Sequence, residues 1–305
     1  MAVEEPATLS KDFGQPGQAT PDDGADHRQL HGSSLRQALP RIWWRLSLGA
    51  AALSIVGSIV ALLRPRWIYG SETPALADAA TAQDIVGLVL VAPLLLVLGV
   101  RAVRGGFRSW LYWLGCLSFT AYNYLIYTFS VHFGPLFLVW VAVLSLSLFA
   151  LIGGLPALSP SVAVARLAFV PVRLPGWYLI AVSALFSLLW LSQIVADLLA
   201  ARTSSSAAEW AVPTNPVHVL DLAFFLPAVF LTGVLLLRRH WFGYVTAAAQ
   251  LVFLEFTCWP ALVTPLVAQA RGSPAGWSVL VPLGIIAVTT LAVLWRLLRA
   301  VPAVP

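Results

Sequence analysis

The chain has 305 residues, of which 59% are hydrophobic and only 10% are charged. Soluble domains carry about 25% charged residues, so this composition excludes an ordinary soluble fold. A mean hydropathy of +0.85 predicts an all-α, polytopic transmembrane helix bundle in a lipid bilayer. The net charge of +5 does not indicate a nucleic-acid partner, because the positive residues flank apolar runs, as they do in membrane proteins.

Composition divides the chain into two segments. Residues 1–32 are rich in Gly, Pro, Asp and Gln and lack apolar periodicity, which predicts a disordered cytoplasmic tail. Residues 33–300 are predicted to form a single transmembrane domain. The first part of that domain, 33–45, is basic and ends in Trp43-Trp44, a pattern typical of an interfacial helix that leads into the membrane.

The transmembrane domain contains eight apolar runs, which predict eight spans. The seventh run is expected to be interrupted by Pro260 and Pro265. No internal repeat is evident in the sequence, and this counts against a secondary carrier, because repeats are common in that class. Polar, basic or Gly/Pro-containing connections separate the runs, at 64–83, 101–108, 130–135, 156–175, 202–213, 238–240 and about 268–276.

Positive charges predict the orientation of these spans. With eight spans, 14 of the 18 Lys and Arg residues fall on the side of the two termini. Only 4 fall on the opposite side, namely Arg64, Arg66, Arg202 and Arg271. The positive-inside rule therefore predicts a multi-pass protein of the plasma membrane with both termini in the cytoplasm.

The stretch 213–221 opens the sixth span and brings a histidine and a carboxylate into an apolar region. Asn215 is a suitable helix cap, and Pro216 suits the first helical position, where no N–H is needed. His218 and Asp221 then lie three residues apart on one face of the helix. An ionised Asp221 in this position is expected to hold the imidazole by a hydrogen bond.

Polar residues on two other spans are expected to converge on this stretch near the outer face. Asp197 ends the fifth span, and Asn123 and Tyr127 belong to a polar stripe along the third. Together with His218 and Asp221 they predict a binding pocket or a proton relay, since ionisable groups in a membrane are usually functional or paired. The alternative is structural, with these residues capping wet helix ends and the stripes forming interhelical hydrogen bonds.

Other ionisable groups allow further interpretations. Glu255 lies near the middle of the seventh span. This position is compatible with a proton relay or with a neutral carboxylic acid that is hydrogen-bonded to a neighbouring helix. Asp84 directly precedes the uncharged part of the second span and is expected near the interface or slightly below it. His132, His218 and Asp221 offer nitrogen and oxygen ligands for Zn²⁺, although an i,i+3 His/Asp pair is common by chance. The cofactor is unknown from the sequence, which lacks a GxxxxGK(S/T) loop and an HExxH motif.

Three stretches carry a family resemblance: YNYxxY at 122–127, FxPLFL at 133–138 and TNPVHVLDLAF at 214–224. They resemble a family of uncharacterised bacterial multi-spanning membrane proteins. The resemblance covers roughly the first six spans. It implies a helical membrane protein and no particular activity, because a fold does not determine a function.

Three functions are compatible with these features. The first is a carrier for a small solute, coupled or not to protons, with a polar site in the outer half. The second is a membrane-embedded enzyme that depends on a metal, although no nucleophile is clearly paired with a base, which disfavours catalysis. The third is a non-catalytic partner of other membrane proteins, or a sensor, in which the polar stripes only hold helices together.

Overall fold

A computed structural model describes residues 38–301, so the predicted tail and the start of the predicted interfacial helix lie outside the described residues. Within this range the protein is an all-α bundle of long helices joined by short connections, as predicted. The helices are α1 (Arg41–Leu63), α2 (Pro65–Tyr69), α3 (Pro74–Val103), α4 (Phe107–Ser130), α5 (Phe137–Gly154), α6 (Pro160–Leu167), α7 (Arg173–Leu199), α8 (Ser205–Glu209), α9 (Pro216–Leu237), α10 (Trp241–Arg271) and α11 (Trp277–Arg299).

Eight of these helices are long, in agreement with the predicted number of spans. By length and composition, 7 of them are apolar enough to cross a membrane. The eighth is α4, which has 24 residues and is therefore about 36 Å long, enough for a bilayer. It is more polar than the others because it is packed among α3, α5 and α10, where its side chains meet protein on most sides.

Helix boundaries follow local chemistry. The Thr73 hydroxyl accepts from the backbone N–H of Leu76 at the start of α3, and the Asn215 side chain accepts from two N–H groups at the start of α9, so the predicted cap at Asn215 is confirmed. The predicted interruption of the seventh span is wrong, because α10 runs through Pro260 and Pro265 as one helix. Membrane helices tolerate proline where packing and hydroxyl side chains compensate for the missing bond.

The long helices form two similar halves, which the sequence did not reveal. The first half, α1–α5, and the second half, α7–α11, each consist of a long helix, a short one and three more long helices, with α6 between the halves. In both, the third helix packs against the first and the fourth, and α4 and α10 pack together at the centre. Four spans in each half give both halves the same direction through the membrane, the arrangement of parallel repeats.

Each half carries a widened π turn in its third helix, just before a proline. The turn in α3 covers Gly87–Val91 and precedes Pro93, and that in α9 covers Asp221–Phe225 and precedes Pro227. Pro227 lies 134 positions after Pro93. Proline lacks an N–H and its ring collides with the carbonyl four residues earlier, so the backbone widens to a bond spanning five residues.

The turns that follow these two helices also match. The left-handed residue is Gly105, with a φ of 89°, in the first half and Arg239, with a φ of 56°, in the second. They are again 134 positions apart. Three backbone N–H groups in each turn donate to carbonyls at the same spacings. The repeat is therefore built from equivalent backbone geometry, although few side chains in the two halves are identical.

The halves meet where α4 crosses α10 closely. A Cβ atom at Gly115 would lie 2.5 Å from the Cβ of Val252 and 2.7 Å from the carbonyl oxygen of Ala249. One turn along, the equivalent rings of Phe119 and Phe253 pack edge to face with centroids 6.1 Å apart. A small residue at the crossing is what allows two membrane helices to approach this closely.

We expect the Gly115→Ala variant to be destabilised by about 1–3 kcal/mol, because the added methyl group overlaps atoms of α10 that are fixed by packing. The matched control is Gly284→Ala in α11, where a Cβ meets nothing within 4 Å. Thermal unfolding of the purified variants in detergent measures the difference. Equal melting temperatures for the two variants would contradict the close crossing.

Candidate functional site

A large cavity lies between the two halves of the bundle, with a volume of about 510 Å³. Helices α3 and α4 of the first half and α7, α9, α10 and α11 of the second line it. It extends to the connections at one end of the bundle, where Trp210, Pro274 and Gly276 contribute to its wall. We call it the central cavity; its size is that of pockets that bind small organic molecules.

The wall of the central cavity is mostly apolar and rich in aromatic rings. Seven aromatic residues line it, namely Phe119, Tyr122, Tyr127, Phe186, Trp190, Trp210 and Phe225. Its ionisable lining includes the carboxylates Asp78, Glu209 and Asp221, and no lysine, arginine or histidine is among the described residues that line it. The cavity therefore combines an apolar surface with carboxylates, of which Asp221 is buried and has no ion-pair partner among residues 38–301.

Asp221 is the buried carboxylate of this wall and is held by two neutral donors. The Tyr122 hydroxyl of α4 donates to its Oδ1 at 2.7 Å, and the Trp190 indole N–H of α7 donates to its Oδ2 at 2.8 Å. Asp221 is the first residue of the π turn in α9. Three helices are therefore joined at one side chain, and no cation among residues 38–301 forms an ion pair with it.

The expected hydrogen bond between Asp221 and His218 does not form. Each Asp221 oxygen already accepts from Tyr122 or Trp190, and the His218 imidazole packs instead against the Trp190 ring, with centroids 4.7 Å apart. His218 is buried but does not line the central cavity. His218 therefore contacts the site only through the ring of Trp190.

Asn123 and Tyr127 line the central cavity beside Asp221, as the stripe on the third span predicted. The Tyr127 hydroxyl donates to the Ala80 carbonyl at 2.8 Å, so this residue joins α4 to α3. The Asn123 side chain makes no hydrogen bond within the described part of the chain. Asn123 is therefore an amide of the wall without a hydrogen bond within residues 38–301, as is the Nε2 atom of Gln83, and Tyr127 is largely structural.

Asp197 lies outside the central cavity and does not join the predicted pocket. Its Oδ1 accepts from Arg202 Nε at 2.6 Å, and its Oδ2 accepts from the N–H and hydroxyl of Ser205. These bonds close the connection between α7 and α8. The structural interpretation, a polar residue at a wet helix end, describes this position.

Glu255 is buried in α10 but is also absent from the wall of the central cavity. Its Oε1 accepts from the indole N–H of Trp259 at 3.1 Å, one turn along the same helix. Its Oε2 has no partner in the described range. The expected bond to a neighbouring helix is therefore replaced by a bond within α10, and nothing links Glu255 to the other candidate residues.

The predicted zinc ligands do not come together. His132 lies in the connection before α5, where its Nδ1 is 2.9 Å from Glu72 Oε2 and its backbone N–H donates to Glu72 Oε1. His218 and Asp221 belong to α9 and have the partners described above. Among residues 38–301 no group of 3 or more His, Cys, Asp or Glu is arranged to hold a metal ion, so the ligand set of His132, His218 and Asp221 is wrong.

The structure adds a buried carboxylate that the sequence placed near the interface. Asp84 lies in α3, in a second, small pocket of about 20 Å³ between α1, α3 and α4. Tyr69 and Ser58 donate to its two oxygens at 2.6 and 2.9 Å. Gln83 and Asn123 line both this pocket and the central cavity.

Two contacts between the halves close the end of the bundle beside the cavity. Arg271 at the end of α10 pairs with Asp78 of α3, with 3.2 Å between Nη1 and Oδ1. The Thr73 hydroxyl donates to the Glu209 carbonyl of α8 at 2.7 Å. Sequence reasoning missed both contacts, because their partners are far apart in the chain.

Comparison of the chain with known protein families, with curated proteins and with solved structures finds no match. The resemblance carried by the stretches at 122–127, 133–138 and 214–224 therefore stays a prediction. A functional assignment depends on the geometry of the central cavity and of the residues that line it.

We expect Tyr122→Phe to lower the free energy of unfolding by about 1–3 kcal/mol, because Oδ1 of the buried Asp221 loses its donor. The control is Tyr112→Phe on the same helix, whose hydroxyl has no partner in the described range. In an Asp221→Asn background the effect of Tyr122→Phe should shrink. Chemical unfolding of the four variants measures this coupling, and full additivity would contradict the bond.

Proposed function

We propose that the protein is a membrane carrier whose central cavity binds small organic cations with an apolar body. The observation that carries the proposal is the lining of the cavity, in which the buried carboxylate of Asp221 lies among seven aromatic rings and no basic residue belongs to the described lining. Of the other two lining carboxylates, Asp78 is paired with Arg271 and Glu209 is exposed. Apolar surface supplies affinity for the body of such a ligand. A carboxylate in a region of low dielectric constant favours a ligand that neutralises it.

Asp221 is the group we propose as the anchor of the positive charge. It is 8% exposed, lies on the cavity wall and lacks a cationic partner among residues 38–301. Tyr122 and Trp190 each occupy one lone pair on its two oxygens, and the remaining lone pairs can attract a cation electrostatically, whether or not the cation carries an N–H. Their aromatic rings also favour a cation that lies over their faces.

The repeat architecture supports a carrier over the other two hypotheses. Parallel repeats with a binding site between them are a known construction of transporters, and alternating access then follows from one half rocking against the other. Widened turns in membrane helices are frequent at functional sites, and Asp221 begins one of them. The metal-dependent enzyme loses support because its ligands lie apart.

The non-catalytic hypothesis keeps one specific observation in its favour. Asp221 joins α9 to α4 and α7 through its two hydrogen bonds, so it also fits a purely structural clasp. The two functions predict different ligand binding. A carrier for cations should bind a cation more tightly than a neutral molecule of the same shape, whereas a structural clasp should not discriminate between them. The binding experiment below separates them.

We place the protein in a plasma membrane with both termini in the cytoplasm, on the distribution of basic residues. The end of the bundle reached by the central cavity then faces outwards, because α3, α9 and α11 start there. The charge-bearing turn Arg238–His240 then faces the cytoplasm.

We expect the purified protein to bind benzyltrimethylammonium more tightly than neopentylbenzene, its neutral isostere. Asp221→Asn should weaken binding of the cation about tenfold or more and leave the isostere nearly unchanged, since a tenfold loss corresponds to about 1.4 kcal/mol. Asp197→Asn, outside the cavity, serves as the control and should retain cation binding. Equilibrium dialysis with labelled ligands measures all six affinities; equal loss for both ligands would favour the structural clasp.

Orientation is testable with single exposed cysteines. Ser71→Cys should react with a membrane-impermeant maleimide added to intact cells, and Arg238→Cys should react only after the membrane is permeabilised. Cys116 and Cys258 are buried and unbonded, so the background is expected to be low. Labelling of Arg238→Cys from outside would reverse the proposed orientation.

A further inference from the structure

The Asp84 pocket is a second polar site, separate from the Asp221 wall. Asp84 is 5% exposed and sits one turn before the π turn of α3. Its two oxygens accept from the Tyr69 hydroxyl of α2 and the Ser58 hydroxyl of α1. Both donors are neutral, so the carboxylate is stabilised by hydrogen bonds from hydroxyl groups rather than by an ion pair.

Within residues 38–301, the helices around Asp84 place no positively charged side chain against its carboxylate. The titratable groups that face it are Tyr69 of α2 and Tyr124 and Tyr127 of α4. No ion pair is formed by Asp84 with an arginine or histidine in residues 38–301. Burial and the negative charge of Asp84 raise the pKa of Tyr69 well above its usual value, so this phenol remains a donor.

The pocket beside Asp84 has the size of one water molecule. Its volume is about 20 Å³, and a polar cavity of more than about 10–15 Å³ accommodates one water. The polar side chains around it include Ser54, Thr120 and Asn123. Gln83 lines it too, and its buried Nε2 has no acceptor in the described range. An unpaired donor on a residue that lines the pocket favours a water oxygen over a metal cation.

The wall between this pocket and the central cavity is thin. Gln83, Phe119 and Asn123 line both spaces, so two side-chain amides stand between Asp84 and the cavity. A water in the pocket would therefore be bordered by Asp84 and by two side chains that also line the cavity. Relays of carboxylates and waters of this kind carry protons in membrane proteins.

We propose that Asp84 is a proton-binding site that exchanges protons with the central cavity through a one-water pocket gated by Gln83 and Asn123. A hydronium ion in the cavity passes a proton through the pocket water to Asp84, which becomes a neutral carboxylic acid, and the reverse step returns the proton to water. The site itself depends only on the geometry of the pocket. Its use to drive transport rests on the carrier function proposed above.

Infrared spectra of the full-length protein in lipid nanodiscs, recorded from acid to alkaline pH, test the site. The wild type should show a carboxylic acid C=O band that disappears as the pH rises, and Asp84→Asn should lack this band. Asp197→Asn is the matched control and should retain it. The proposal would be overturned if the wild type and Asp84→Asn showed the same titrating C=O bands.

Ser58→Ala keeps the acid and provides a test that does not depend on the folding of Asp84→Asn. Removing one donor to the charged carboxylate should shift the midpoint of the band to higher pH, because that bond stabilises the ionised form. An unchanged midpoint would overturn the assignment of the band to Asp84. If the band titrates but benzyltrimethylammonium does not bind, the proton site is supported and the carrier function is rejected. If benzyltrimethylammonium binds but no band of Asp84 titrates, only the proton site is rejected.

Discussion

The close crossing of α4 and α10 is the constraint on which the arrangement of the halves depends. Apolar side chains gain little from leaving lipid for protein, so membrane helices associate mainly through close packing and interhelical hydrogen bonds. Gly115 permits that packing, because any side chain there meets Val252 and the backbone of α10. With the two helices held together at the centre, α3 and α9 are kept apart on either side, and the central cavity is the space left between the halves.

The carboxylates of the two pockets, Asp84 and Asp221, follow one rule: each is matched to neutral donors on other elements, whereas the buried Asp78 and Asp197 pair with arginines. Asp221 accepts from α4 and α7, and Asp84 accepts from α1 and α2. These bonds offset part of the cost of removing the carboxylates from water and at the same time fix the helices that supply them. Glu255 departs from the rule, since its donor lies on its own helix and one oxygen lacks a partner in the described range.

Much of the fold was predictable because it depends on local chemistry. Apolar length gave the number of spans, and the Asn215-Pro216 pair located the start of α9. The cavity position of Asp221, Asn123 and Tyr127 was also predictable from helical spacing. The partners of Asp221 were not, because they come from other helices and the π turn changes the spacing at that residue. The repeat escaped detection because the matching residues of the two halves, such as Pro93 and Pro227 or Phe119 and Phe253, are few and lie among interchangeable apolar residues.

The two equivalent turns differ in the residue that adopts the left-handed backbone conformation, and this difference costs stability in the second half. The first half places glycine at this position, where a left-handed backbone is free of strain, and the second half places Arg239 there. A residue with a side chain loses roughly 1–2 kcal/mol in this conformation. The arginine adds a second guanidinium beside Arg238 at the end of α9. Local backbone strain thus accompanies a second positive charge at the end of α9, and a glycine at 239 would relax the turn while removing that charge.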